Sequence, residues 1–208
     1  MLNRFIASQL ARPRGLFGRY VMAPLLNSGN VKLLRLAIDA MEIEPGQRVL
    51  DVGFGGGGTL PMMIERIGDG AVAGIDISPE MVSRAQRRWR REVGDGRLDI
   101  REGSIETLPW PDGSFDAVTT INTLYFWPDL DAGFREIRRV LKPGGRLVIG
   151  MRSEEALRKL PIARHGFRLY GMNDLMSRLE NSGFGSIRID HHDRGQSIDN
   201  VVVVATAE

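Results

Sequence analysis

Val49-Leu50-Asp51-Val52-Gly53-Phe54-Gly55-Gly56-Gly57-Gly58-Thr59-Leu60 is the stretch whose reading decides the fold. Val49, Leu50 and Val52 form a short apolar run of the kind that makes a buried strand, and a helical pattern resumes at Leu60 beyond the glycines. Glycine is tolerated where φ is positive or where a ligand lies against the main chain, and five of them in six positions are costly to order without such a need. A turn of this kind is expected to expose backbone N–H groups, and the following helix points its positive end into the same crevice. The stretch therefore predicts a ligand site at the carboxyl end of the first strand of an open α/β sheet.

Downstream, strand and helix patterns alternate. Ala71 to Ile75 reads as a strand closed by Asp76; Ser78-Pro79-Glu80 is a helix start, and that helix runs to about Arg91. Leu98 to Arg101, Phe115 to Ile121 and Arg146 to Gly150 are further strands, with a helix over Leu130–Leu141 ending before Pro143-Gly144-Gly145. Helices are also expected near Glu154–Leu160 and Asp174–Leu179, and two last strands, Ser186–His191 and Val201–Ala205, form an antiparallel hairpin. The prediction is a doubly wound α/β fold: a mostly parallel seven-stranded sheet with helices on both faces and an antiparallel hairpin at its end. Upstream, Val31–Met41 supplies an apolar face for packing on the sheet, and residues 3–11 and 16–26 read as helical around Arg12-Pro13-Arg14-Gly15. Residues 1–44 are thus expected to be a helical leader or cap, and residues 45–208 the main domain.

Composition narrows the function classes. The chain has 208 residues, 42% of them hydrophobic and 26% charged, which fits one globular domain. Cysteine is absent, so there is no thiolate nucleophile or disulfide framework, and three histidines argue against a multi-histidine metal site. No apolar run suits a membrane span, and the arginines and Pro13 of the leader interrupt any signal-peptide core, so a cytoplasmic location is expected. Arginines crowd Arg84–Arg91 around Trp89, and the leader is basic without acids to residue 38. With a net formal charge of only +2 and no nucleic-acid motif, these clusters read first as a solvated face, and a nucleic acid is not the expected partner. The leader leaves a transient membrane-surface contact open. Monomer and homodimer are both compatible.

Gly53 to Gly58 also satisfies the dinucleotide fingerprint GxGxxG, and Asp76 lies 23 residues beyond Gly53, near the place of a ribose-binding acid. Asp51, two residues before Gly53, would oppose a pyrophosphate and favour a ligand carrying an ammonium or sulfonium group. An NAD(P)-dependent oxidoreductase and a non-catalytic binding protein of the same fold stay open at this level.

Val49 to Gly57, Gly74-Ile75-Asp76-Ile77-Ser78, Leu108-Pro109-Trp110-Pro111-Asp112-Gly113-Ser114-Phe115-Asp116, Glu136 to Gly145 and Asn181-Ser182-Gly183-Phe184 follow one another in the chain. In this order they resemble the class I, Rossmann-like S-adenosylmethionine-dependent methyltransferases, in particular the small-molecule branch, over about residues 45–208. The resemblance implies S-adenosylmethionine as cofactor, with Asp51, Gly53, Phe54, Gly55 and Gly57 around its methionyl part. It further implies Asp76 at the ribose, Ile77 against the adenine, and Ser104 and Ile105 in the adenine loop. Ser104 stands where the family commonly has an acid, which removes a charge-assisted hydrogen bond. By the same resemblance Asn122, at the end of the fourth strand, stands where the family's cofactor and acceptor meet. His165 is the first candidate for a base, with Tyr20 and Asn122 also considered, and no metal is required. Tyr125, Phe126 and Trp127 are expected to wall an apolar or aromatic acceptor pocket, closed by Phe17, Tyr20, Phe167 and Tyr170.

Overall fold

The computed structural model describes residues 31–164, 167–193 and 198–208. Seven strands form one sheet: β1 (Arg48–Val52), β2 (Ala71–Asp76), β3 (Leu98–Glu102), β4 (Phe115–Ile121), β5 (Leu141–Arg152), β6 (Phe184–Asp193) and β7 (Ile198–Ala207). Their order is β3-β2-β1-β4-β5-β7-β6; β7 is antiparallel to both neighbours and the other pairings are parallel. The mostly parallel sheet and its antiparallel end agree with the sequence reading. The place of β7 is the new information: it inserts between β5 and β6, and its run Val201–Ala205 is buried throughout, as suits a strand covered on both faces.

Strand alternation divides the interior into two cores. Leu50, Val52, Val118, Leu147, Ile149 and Val203 face one side, whereas Val49, Ala117, Val148, Val202 and Val204 face the other. On the second side lie α1 (Val31–Ala40), α2 (Leu60–Arg66) and α3 (Pro79–Arg88). Buried Leu33, Ala37 and Ile38 make α1 part of that core, as its periodicity predicts. On the first side are α5 (Leu130–Val140) and α7 (Met172–Asn181), which follow the short α4 (Arg90–Gly94) and α6 (Glu154–Arg158) along the chain. Ser78 caps α3 by accepting from Met81 N–H, and Asp129 and Ser153 cap α5 and α6 in the same way.

Three expectations need correction. The helix expected to run to Arg91 breaks at Trp89, where φ −110° and ψ 37° leave the helical region and the indole is buried. The strand expected from Arg146 already begins at Leu141 and takes in Pro143-Gly144-Gly145: Leu141 pairs with Phe115, and a bulge follows before Arg146 pairs with Ala117. The helix expected to reach Leu160 stops at Arg158 and is followed by a 3₁₀ turn at Pro161–Arg164. Among the described residues no helix is long and apolar enough to cross a membrane, and no cluster of three or more His, Asp or Glu suits a metal.

Candidate functional site

Asp51 points to the same side of β1 as Val49, toward the start of α2, and is 1% exposed. The hydroxyl of Thr59 donates to its Oδ2. By position Thr59 would be read as a helix cap, yet it makes no such bond and serves Asp51 instead. Burial pushes the Asp51 carboxyl up to about 7; the Thr59 hydrogen bond opposes that shift and the nearby charge of Asp76 adds to it. Asp76, at the end of β2, is also buried and raised, while N–H groups of Ser78 and Gly55 pull the other way. Neither carboxyl owes any part of its shift to a cation among the described residues. The site is therefore a pair of desolvated acids on either side of one turn.

The turn takes positive φ at Gly53 (76°), Gly55 (51°) and Gly57 (71°). Its donors, expected to face a ligand, are largely occupied. Gly53 N–H donates to Ile75 O at 2.7 Å, Gly57 N–H to Phe54 O at 2.8 Å, and Gly55 N–H to Asp76 Oδ2 at 2.8 Å. The glycines thus serve close approach and tight closure. A Cβ on Gly57 would stand 2.6 Å from Trp89 Cη2, and one on Gly53 2.5 Å from Thr123 Cγ2. Gly57→Ala is accordingly expected to destabilise the protein by about 2 kcal/mol or more in urea unfolding, from left-handed strain plus the clash. Adding Trp89→Leu should recover part of the loss.

The other expected residues fall into two groups. Ile77 is 42% exposed beside Asp76, an apolar surface free to meet a flat ring. The Ser104 hydroxyl accepts from Glu106 N–H at 3.3 Å, and the preceding Gly103 N–H donates to Asp76 O at 3.1 Å, so this loop abuts the same strand end. Asn122 adopts φ 57°, its N–H bonded to Gly150 O at 2.8 Å and its Oδ1 accepting from Tyr125 OH at 3.3 Å. Phe54 and Ile105, by contrast, bury their side chains: Phe54 against Gly74 and Ile100 below the turn, Ile105 near Gly133 in the first core. Any contact from Phe54 to a ligand is left to its backbone.

The aromatic wall is smaller than expected. Tyr125 and Trp127 are 2% and 4% exposed, the first with its hydroxyl accepting from Arg152 N–H at 2.7 Å, the second edge-on to Phe134. Burial raises the Tyr125 phenol above its ordinary range, which keeps it a neutral hydrogen-bonding group. Both rings are packing residues because the 3₁₀ turn Leu124–Phe126 faces them inward; Phe126, Phe167 and Tyr170 are half-buried. Phe126 and Phe167 meet at 4.7 Å between ring centres. Phe17, Tyr20 and His165 lie outside the described residues. Thr59, Thr120 and Thr123 were not expected as site residues, since nothing local marks a threonine for the contacts they make.

The motif segments outside the turn are scaffold. Arg139 on α5 donates to Leu108 O, Trp110 O, Asp112 and Glu136, joining the loop after β3 to the helix before β5. Of the clustered arginines, Arg87, Arg88, Arg90 and Arg91 are exposed, with Arg88 over the Trp89 ring at 4.9 Å.

Comparison with known proteins agrees with this geometry. A family model described as "Methyltransferase domain" matches residues 50–149. The chain is 36% identical over 137 residues to the uncharacterized methyltransferase YdaC of Bacillus subtilis, covering 66% of this chain and 71% of that one. It is 39% identical over 132 residues to the ubiquinone/menaquinone biosynthesis C-methyltransferase UbiE of Vibrio campbellii, covering 62% of this chain and 51% of that one. The fold is similar to a crystal structure of a SAM dependent methyltransferase from Aquifex aeolicus, with a TM-score of 0.75 at 23% identity over 90% of this chain and 97% of that one. Two buried acids flanking a glycine turn at the carboxyl end of a mostly parallel sheet, together with these similarities, place the chain in the family of class I S-adenosylmethionine-dependent methyltransferases.

Proposed function

We propose that residues 45–208 bind S-adenosylmethionine across the Gly53–Gly58 turn and transfer its methyl group to a small apolar or aromatic molecule. The carrying observation is the pair Asp51 and Asp76: both are buried, neither is stabilised by a cation among the described residues, and both border a turn whose N–H groups are largely spent. A cationic nucleoside suits that environment, because an ammonium near Asp51 supplies the missing counter-charge and ribose hydroxyls can bond Asp76. A dinucleotide pyrophosphate meets the opposite conditions, two nearby carboxylates and few available donors.

The donor, when bound, supplies an electrophilic methyl group. This chain's residues hold the donor, align the acceptor and exclude water. Asp51 holds its amino group and Asp76 its ribose hydroxyls, Ile77 lies against the adenine, and Ser104 bonds the adenine edge without the charge an acid would bring. Asn122, in a left-handed conformation just after β4, is assigned to the junction of donor and acceptor. Phe126, Phe167 and Tyr170 favour an apolar acceptor. For an oxygen or nitrogen acceptor, His165, two residues before Phe167, is the base to test first. Residues 1–44 act as a leader, of which α1 is packed on the sheet.

Calorimetry with S-adenosylmethionine and S-adenosylhomocysteine tests the reading. Saturable one-to-one binding, abolished in Asp51→Lys, is expected, followed by transfer of labelled methyl to members of an aromatic and isoprenoid panel. Absence of binding by the folded wild type would sink it. Tight NADH binding instead would restore the oxidoreductase reading.

A further inference from the structure

The segment after β4 is tied to the donor turn by a chain of hydroxyls. Thr120 is fully buried and its Oγ1 donates to Val52 O at 3.0 Å. A hydroxyl carries one proton, so the close contact between Thr120 Oγ1 and Thr123 Oγ1 is Thr123 donating to Thr120. Thr123 Oγ1 in turn accepts from Trp127 Nε1 at 3.1 Å. The bonds run one way: indole to Thr123, Thr123 to Thr120, Thr120 to the carbonyl just before Gly53. Every donor in the chain is used, and each bond polarises the next.

Thr123 meets the turn a second time through its methyl group. The atom that a Gly53 Cβ would strike is Thr123 Cγ2, so the turn rests against that methyl. The far end is rigid, because Trp127 packs edge-on to Phe134 at 5.7 Å and lies over Gly133. On one side of Thr123 is Asn122 and on the other the Leu124–Phe126 turn. One residue therefore contacts the donor turn while belonging to the segment that borders the acceptor.

We propose that Thr123 is a positioning residue for methyl transfer: its hydroxyl sets the height of the Gly53 turn against the 122–127 segment, so that donor affinity depends on it although it need not touch the donor. This rests on the function proposed above. No titratable group takes part, so the effect is expected to be independent of pH between about 6 and 8 beyond that of Asp51.

The test compares S-adenosylhomocysteine affinity with melting temperature in the full chain. Thr123→Val keeps the shape, leaves the Trp127 N–H without an acceptor, and is expected to weaken binding about tenfold. Thr123→Ser keeps the hydroxyl chain and should stay within about twofold of wild type. Trp127→Phe breaks the chain at its far end while keeping a ring, and should weaken binding by about fivefold, which keeps the idea testable if Thr123→Val does not fold. The control is Phe184→Leu on β6, the edge strand farthest from β1, where a buried ring packs in the core away from the turn. It should lower the melting temperature and leave affinity unchanged. Wild-type affinity in folded Thr123→Val, or an equal loss in Phe184→Leu, overturns the proposal. A wild type that binds no S-adenosylhomocysteine is seen before any variant is made and counts against the proposed function itself.

Discussion

Asp51→Asn is expected to raise the melting temperature at pH 8 and to weaken S-adenosylmethionine binding by between about tenfold and a hundredfold. Both changes come from one charge. The carboxyl is 1% exposed, and desolvation lifts it from 3.8 to about 7. In the unfolded chain it ionises near 3.8; in the folded chain it keeps its proton until about 7. Between those values the folded state holds a proton that the unfolded state has lost, so stability falls as pH rises through the window. The contribution is complete below about 3.8 and gone above about 7. The substituted amide is neutral at every pH, and its oxygen can still accept from Thr59, so the variant escapes the cost of a buried charge. That same charge is what an ammonium group pairs with. Wild-type affinity is therefore expected to fall about tenfold from pH 8 to pH 6 as Asp51 takes up its proton. The variant should show almost none of that dependence. Calorimetry at both pH values, with thermal melts of the free proteins, checks both halves. A variant that binds as tightly as wild type, or one that melts well below it, removes Asp51 from its assigned role.

The second large effect lies away from the turn. Arg139→Met is expected to destabilise the protein by about 3 kcal/mol, a melting decrease of roughly 10 °C, with donor affinity unchanged in the folded fraction. The guanidinium bonds Glu136 through Nε at 2.8 Å and through Nη2 at 2.8 Å, and Nη2 also reaches Leu108 O at 3.0 Å. Its Nη1 spans Trp110 O at 2.9 Å and Asp112 Oδ1 at 2.8 Å. Glu136 completes the cycle by accepting from Leu108 N–H at 2.8 Å. Removing the fork leaves two carbonyls and two carboxylates without this partner, and the loop that holds both carbonyls carries Trp110 into the core. Lysine should not rescue, since a single ammonium cannot reproduce a planar set of five donors. Differential scanning calorimetry of both variants decides it; a lysine variant as stable as wild type means that charge alone sufficed.

Much of the fold can be read in the sequence because its signals are local. The Val49–Val52 run followed by glycines, the Ser78-Pro79 helix start and the continuous apolar run of β7 each depend on residues adjacent in the chain. Backbone sterics and hydrophobic period therefore suffice for them. The acids of the candidate site, Asp51 and Asp76, are likewise visible as polar residues at or next to the ends of apolar strands.

What the sequence by itself determined is thus the alternation of elements, the turn and the two acids. Tertiary structure alone decided where β7 inserts, why α3 stops at Trp89, and that Tyr125 and Trp127 pack inward while Phe126 is only half-buried. It also decided that the turn spends its N–H groups on Ile75, Phe54 and Asp76, and that Thr123 braces Gly53. Each of these is a contact between residues whose separation in the chain carries no periodicity. Which hydroxyl meets which carbonyl, and which carboxyl loses its water, is set only when the strands come together.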